Sequence, residues 1–236
     1  VRLTPQEIAF VRAMVIYEDA AVLALDKPPG LSSQGGRAQV NTLDELLWAF
    51  ARPGHARPRL IHRLDRDTSG VILTARTKPA AGFLGKAMMA RKFEKTYVAL
   101  VGGVLAAAEG EIDAPLRREE SGREAYMRVC APDHPDAETA STRYRVLASG
   151  QGASLVELKP ETGRMHQLRV HMAHLGCPML GDVRYGGALM VGGEPVPRLT
   201  LHAGRLRFPH PDGGDKTLEA RPPADFARLA AFVTGG

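Results

Sequence analysis

From residue 93 to residue 101 Phe93, Lys95, Tyr97, Ala99 and Val101 alternate with Glu94, Thr96, Val98 and Leu100. A repeat of two sends successive side chains to opposite faces, so this stretch is predicted as a strand. Shorter apolar runs predict strands at 15–17, 21–25, 60–64, 71–75, 142–147, 154–158, 199–203 and 206–208. The second of these stops at the turn Pro28-Pro29-Gly30. Helices are announced by their ends. Thr4, Pro5 and Glu7 form the N-cap, first helical residue and capping-box partner of a helix over 4–14. Thr42 and Glu45 repeat the box ahead of Leu46, Leu47 and Phe50. A third helix is predicted over 164–175, closed by Gly176 with Pro178 beyond it, and a last one near 224–233. Residues 51–58 are a basic loop whose two prolines and glycine prevent a helix. Residues 102–141 are weakly patterned and are expected to hold a mobile loop near 117–123. With no repeat and no linker, residues 1–236 are expected to form one mixed α/β domain.

Composition narrows the class. Hydrophobic residues at 44% and charged residues at 24% suit a soluble globular chain. No apolar run approaches the roughly 20 residues of a membrane helix, and Val1-Arg2-Leu3-Thr4-Pro5 lacks the order of a signal peptide. Cys130 and Cys177 are too few and too far apart for a disulfide framework, so a reducing cytoplasm is the expected compartment. A formal charge of +5, from 31 Lys and Arg against 26 Asp and Glu, favours a polyanionic partner.

Two polar clusters interrupt the pattern. His62-Arg63-Leu64-Asp65-Arg66-Asp67-Thr68-Ser69-Gly70 follows an apolar run, at a strand-to-loop edge where catalytic groups are often displayed. A carboxylate flanked by arginines is held as the anion, which suits a nucleophile or an electrostatic stabiliser better than a general acid. The same residues would also make a salt-bridged turn with Asp67 and Thr68 bonding locally. The second cluster runs from Glu161 to His171 and opens the predicted helix 164–175. A helix N-terminus beside an arginine attracts anions. On that helix Arg164, Leu168 and His171 share a face. His166, His171 and His174 fit no zinc spacing and read as solvated or packed histidines, so no metal is implied.

Together the clusters resemble the RluA-type RNA pseudouridine synthases. His62 to Gly70 matches the family pattern His-Arg-Leu-Asp-x-x-Thr-Ser-Gly at every fixed position. Asp26-Lys27-Pro28-Pro29-Gly30 looks like the opening element, Lys95-Thr96-Tyr97 like the Lys-x-Tyr strand, and Thr162 to His171 like Thr-Gly-Arg-x-His-Gln-(Leu/Ile)-Arg-x-His. Gly181-Asp182, Tyr185-Gly186 and Leu201-His202-Ala203 resemble the closing elements. His62 and Ser69 favour the RluA type over the sister RsuA type. Too few residues precede Asp26 for the small RNA-binding domain many relatives carry, so a compact catalytic core is expected. The resemblance implies a single, largely antiparallel sheet with flanking helices.

It also implies roles. Asp65 becomes the essential carboxylate, Arg164 the arginine that pairs with it, and Tyr97 the tyrosine that stacks on the uracil and assists at carbon 5. Arg63 would fill the space left by a flipped uridine, or form an ion pair. His62, Lys95 and Arg169 are expected on the substrate side, the last two toward phosphate. The substrate is RNA, in a ribosomal or transfer RNA stem-loop whose base is extruded before reaction. No cofactor is implied, and a monomer is expected. Two rivals stand beside this reading. Asp65 and Asp67, two apart on one strand at about 7 Å, would serve a glycosidase. An RNA-binding protein that kept the fold and lost the reaction is the other.

Overall fold

The computed structural model describes residues 2–35 and 41–235. Its elements are α1 (Pro5–Arg12), β1 (Val15–Glu18), β2 (Val22–Lys27), α2 (Leu43–Leu46) continued by one 3-10 turn (Leu47–Phe50), β3 (Arg59–Leu60), β4 (Ser69–Ala75), α3 (Lys78–Met89) and β5 (Glu94–Gly102). There follow β6 (Glu109–Asp113), β7 (Leu116–Ser121), β8 (Glu124–Val129), β9 (Ser141–Gly150), β10 (Ala153–Pro160) and α4 (Gln167–His174). The chain ends with β11 (Met190–Val191), β12 (Glu194–Pro195), β13 (Leu201–Pro209), β14 (Asp215–Glu219) and α5 (Ala224–Thr234). The class is the expected mixed α/β, with antiparallel strand pairs. No described helix is long and apolar enough to cross a membrane. Two compact units emerge: Val1–Glu94 with Ala203–Pro222, and Lys95–His202 with Pro223–Gly236.

In the first unit β1, β2, β4 and the unit's part of β13 are successive neighbours, with β3 on β4 and β14 on β13. β4 is buried along its whole length and β2 at five of its six positions, which is why both read as continuous apolar runs. Helix α3 packs Ala80, Leu84 and Ala87 against Val22, Ala24, Val71 and Leu73, on the i, i+4, i+7 spacing of one helix face. The pattern did not predict α3, although Thr77 caps it by accepting the Ala80 N–H at 3.2 Å and Pro79 sits in its first turn. Gly70 opens β4 at φ +120°, and a Cβ there would stand 2.1 Å from the Ala203 carbonyl oxygen. Only glycine allows that approach.

In the second unit β5, β10, β9 and β6 are neighbours, and β7 with β8 and β11 with β12 form separate hairpins. Ala99, Val101, Val156 and Leu158 meet Leu168 and Met172 of α4 in one core. Phe226, Leu229 and Val233 of α5 meet Leu100, Ala153 and Leu180 in another.

Several boundaries differ from expectation. The capping box at Thr4 is complete; at Thr42 only half forms, because Glu45 turns its carboxylate to the Asn41 N–H at 3.1 Å. The strand expected at 60–64 stops at Leu60, and His62 Nε2 accepts the Leu73 N–H at 3.0 Å where a strand partner would stand. The loop expected near 117–123 is the β7–β8 hairpin. Its charged residues hide the alternation, but Leu116 and Met127 reach a small core with Val170. The two late strands are one, β13, paired with a β14 that was not expected. Arg205 and Arg207 bond Glu219 and Asp215 across that pair, at 2.9 Å each.

Candidate active site

The first unit carries His62, Arg63 and Asp65; the second carries Lys95, Tyr97, Arg164 and Arg169. The turn around Asp65 is built by residues far from it in sequence. Lys27 is fully buried, and its ammonium donates to the carbonyls of Pro28 (2.9 Å), Leu31 (2.8 Å) and Arg66 (2.9 Å). The Gly30 N–H donates to Arg66 O at 2.9 Å, and Arg66 Nε returns a longer bond to Gly30 O at 3.3 Å. Ser33 Oγ donates to Leu64 O at 2.6 Å and accepts the Leu64 N–H at 3.1 Å. The segment from Lys27 to Ser33 and the His-Arg-Leu-Asp turn are therefore knitted on both sides of Asp65. The Thr68 N–H closes the turn on Asp65 O at 3.0 Å. Asp65 itself is half-buried and Arg63 exposed. A rigid turn presenting a half-buried carboxylate suits a positioned nucleophile or base.

The second cluster begins one turn later than expected. Helix α4 starts at Gln167, and His166 before it is left-handed at φ 53°. Residues 164–166 form a turn, so Arg164 does not share a helix face with Leu168 and His171. Gln167 explains that turn. Its Oε1 accepts from Thr162 Oγ1 (2.7 Å) and the Arg164 N–H (3.1 Å), and its Nε2 donates to Ser141 O (2.9 Å) and Thr142 Oγ1 (3.0 Å). His171 is fully buried between Thr142 Oγ1 (2.8 Å to Nδ1) and Ala114 O (2.9 Å to Nε2). Burial pushes its pKa down.

The two arginines of this segment have different surroundings. Arg164 has about a third of its side chain exposed, donates through Nε to Thr139 O at 2.8 Å and lies 3.7 Å from Glu138. Arg169 is mostly buried and grips the fully buried Asp182 with two bonds, at 3.0 and 2.8 Å. Its guanidinium lies over the Tyr185 ring at 5.2 Å. The Tyr185 hydroxyl is bonded to His166 Nδ1 (2.7 Å) and accepts the Met127 N–H (3.0 Å). Burial pushes the Tyr185 phenol up.

Tyr97 stands half-buried on β5, opposite Leu158 and packed on the α4 core. Lys95, two residues earlier, brings its ammonium against the Gly163 turn, where a Cβ would lie 3.3 Å from Nζ. Burial lowers its pKa. Lys27, Gln167, Asp182 and Tyr185 are thus the supporting residues that the motifs contained but whose work the sequence did not reveal. Motif position was their only signal.

A family model described as RNA pseudouridylate synthase matches residues 21–174. Ribosomal large subunit pseudouridine synthase D of Xanthomonas campestris pv. campestris is 38% identical over 248 residues, covering 97% of this chain and 71% of that protein. Ribosomal large subunit pseudouridine synthase C of Salmonella typhi is 37% identical over 217 residues, covering 89% and 66%. Among solved structures, human RNA pseudouridylate synthase domain containing 4 superposes with a TM-score of 0.81 at 28% identity, covering 96% of each chain.

Proposed function

This chain belongs to the RNA pseudouridylate synthase family, and we propose that Asp65 is the carboxylate on which its reaction depends. The enzyme is an isomerase that converts uridine in RNA to pseudouridine. The reaction breaks the bond from the uracil nitrogen to the ribose, turns the base and joins carbon 5 to the ribose; carbon 5 gives up its proton and the freed nitrogen takes one up, so the product is an isomer. Nothing is oxidised or reduced. The detached base must be kept from water meanwhile, which calls for a closed site.

Asp65 attacks the ribose or removes one of its protons; either role needs the anion. Arg164 holds that charge, and Tyr97 stacks on the uracil and serves the proton transfer at carbon 5. Arg63, exposed on the Asp65 turn, stands on the RNA side, while Arg169 on Asp182, His62 on the Leu73 N–H and Lys95 against the Gly163 turn hold the shape of the site. The relatives named for the large ribosomal subunit support ribosomal RNA as the substrate, at a stem-loop where the uridine flips out cheaply. The enzyme works as a monomer, its two units together forming the catalytic domain, in the cytoplasm. A relative that had lost the reaction would be expected to have lost Asp65, Tyr97 or Arg164, and all three are present.

The observation that carries the assignment of Asp65 is the fully matched His62–Gly70 pattern, inside the span of the family model and on a turn fastened from both sides. The test is Asp65→Asn in single turnover on ribosomal RNA fragments, with pseudouridine and carbon 5 hydrogen release as readouts. We expect a loss of about a thousandfold or more, with RNA affinity and melting temperature nearly unchanged. Near-normal turnover by the variant would overturn the assignment.

A further inference from the structure

Trp48 is the only tryptophan in the chain, and it is not in the core. It lies in the 3-10 turn that continues α2, with 40% of its surface exposed. Its neighbours are cations. The Arg57 guanidinium lies over the indole at 5.5 Å from the ring centroid. Arg57 is itself fixed, donating through Nε to Asp44 O at 3.0 Å and through Nη2 to Asp44 Oδ2 at 2.7 Å. Arg12 reaches the same turn, bonding Ala49 O at 3.1 Å and lying over Phe50 at 5.6 Å. Arg52 and His55, joined by a 2.9 Å backbone bond, are exposed on the loop that follows, and Arg59 is exposed at the start of β3. Of the two carboxylates of α2, Asp44 pairs with Arg57 and Glu45 accepts the Asn41 N–H.

An exposed ring under a fixed guanidinium, on a segment that also exposes Arg52 and Arg59, has the chemistry of a platform for an unpaired nucleotide. The base stacks on the π-face and the phosphates meet the cations. A water-exposed tryptophan is otherwise a cost in solubility, and a duplex offers it no free base face. We infer that Trp48, with Arg57 over its ring and the exposed Arg52 and Arg59 on the segment that follows, stacks an unpaired nucleotide of the RNA outside the residue being isomerised. This goes beyond the assignment of Asp65 and rests only on the enzyme's acting on RNA.

Because Trp48 is the sole tryptophan, its emission reports on this surface alone. The probe is a short oligoadenylate, single-stranded and without uridine. Added to the full chain, it should quench Trp48 and at least about halve its collisional quenching by acrylamide, both effects fading with salt. Affinity measured by anisotropy of labelled oligoadenylate should fall about tenfold in Trp48→Ala, less in Trp48→Phe, which keeps a stacking ring, and about tenfold in the pair Arg52→Glu, Arg59→Glu. Thermal melting of each variant checks that it is folded. Saturating RNA that leaves Trp48 fully open to acrylamide would overturn the inference and assign the patch to another partner. So would a folded Trp48→Ala variant that binds as tightly as wild type. Turnover on ribosomal RNA is scored separately: a wild type that protects Trp48 yet forms no pseudouridine supports this surface and sinks the assigned reaction.

Discussion

Lys27 and Arg169 are buried cations beside motif segments, and the two units satisfy them in different ways. Lys27 gives its donors to the carbonyls of Pro28, Leu31 and Arg66, so it fixes the path of the backbone around Asp65. Arg169 gives a planar fork to both oxygens of Asp182, so it fixes one side chain against another and lays a guanidinium on Tyr185. A lysine's rotatable ammonium suits converging carbonyls, and an arginine's fork suits a carboxylate. The lesson is that motif charge in this protein serves shape as much as chemistry. In the first unit the shape is a turn; in the second it is a packed polar layer.

The sharpest way to break the comparison is to remove each cation. Arg169→Ala leaves Asp182 buried without its partner and should cost about 3–5 kcal/mol. Urea unfolding measures it, and recovery in the double variant Arg169→Met, Asp182→Leu would show that the buried charge causes the loss. Lys27→Met should cost about 3 kcal/mol by stranding carbonyls, with no such rescue, since backbone acceptors cannot be mutated away. No recovery in Arg169→Met, Asp182→Leu would erase the distinction.

Arg164 sharpens the contrast from outside the core. Its side chain is a third exposed and its ion pair is long, so Arg164→Ala should change stability by less than about 1 kcal/mol. If it serves Asp65, the single-turnover rate at saturating RNA should fall about a hundredfold. An unchanged saturated rate with weaker, less salt-sensitive RNA binding would make it a phosphate contact instead.

The smallest effect is a titration. Burial holds the His171 pKa below its ordinary value of 6.5, so the unfolded chain takes up its proton first as pH falls. The stability His171 contributes is present above about 6.5 and is lost as pH drops below that value toward the folded pKa. Melting temperatures across this range should fall more steeply for wild type than for His171→Gln. Parallel curves would show that the buried imidazole does not couple to folding.

Much of this was legible early. The capping box at Thr4, the strand through Tyr97, the Gly176 stop of α4 and the helix at the C-terminus all follow from local backbone chemistry, which short stretches of sequence determine. The motif from His62 to Gly70 was equally plain. Helix α3 escaped because its small buried residues, Ala80 and Ala87, carry little apolar signal. The β7–β8 hairpin escaped because charges occupy both of its faces and cross-strand pairing replaces burial.

What the sequence by itself determined is the inventory: an RNA-modifying family, a carboxylate at Asp65, and elements whose periods and caps are local. Tertiary structure alone decided which polar residues were left for chemistry. His62 completes a strand edge, Gln167 fills its four bonds to hold a turn, and Lys27 closes on carbonyls up to 39 residues away. A hydrogen bond depends on where the chain brings its partner, and partners this distant in sequence leave no local pattern to read.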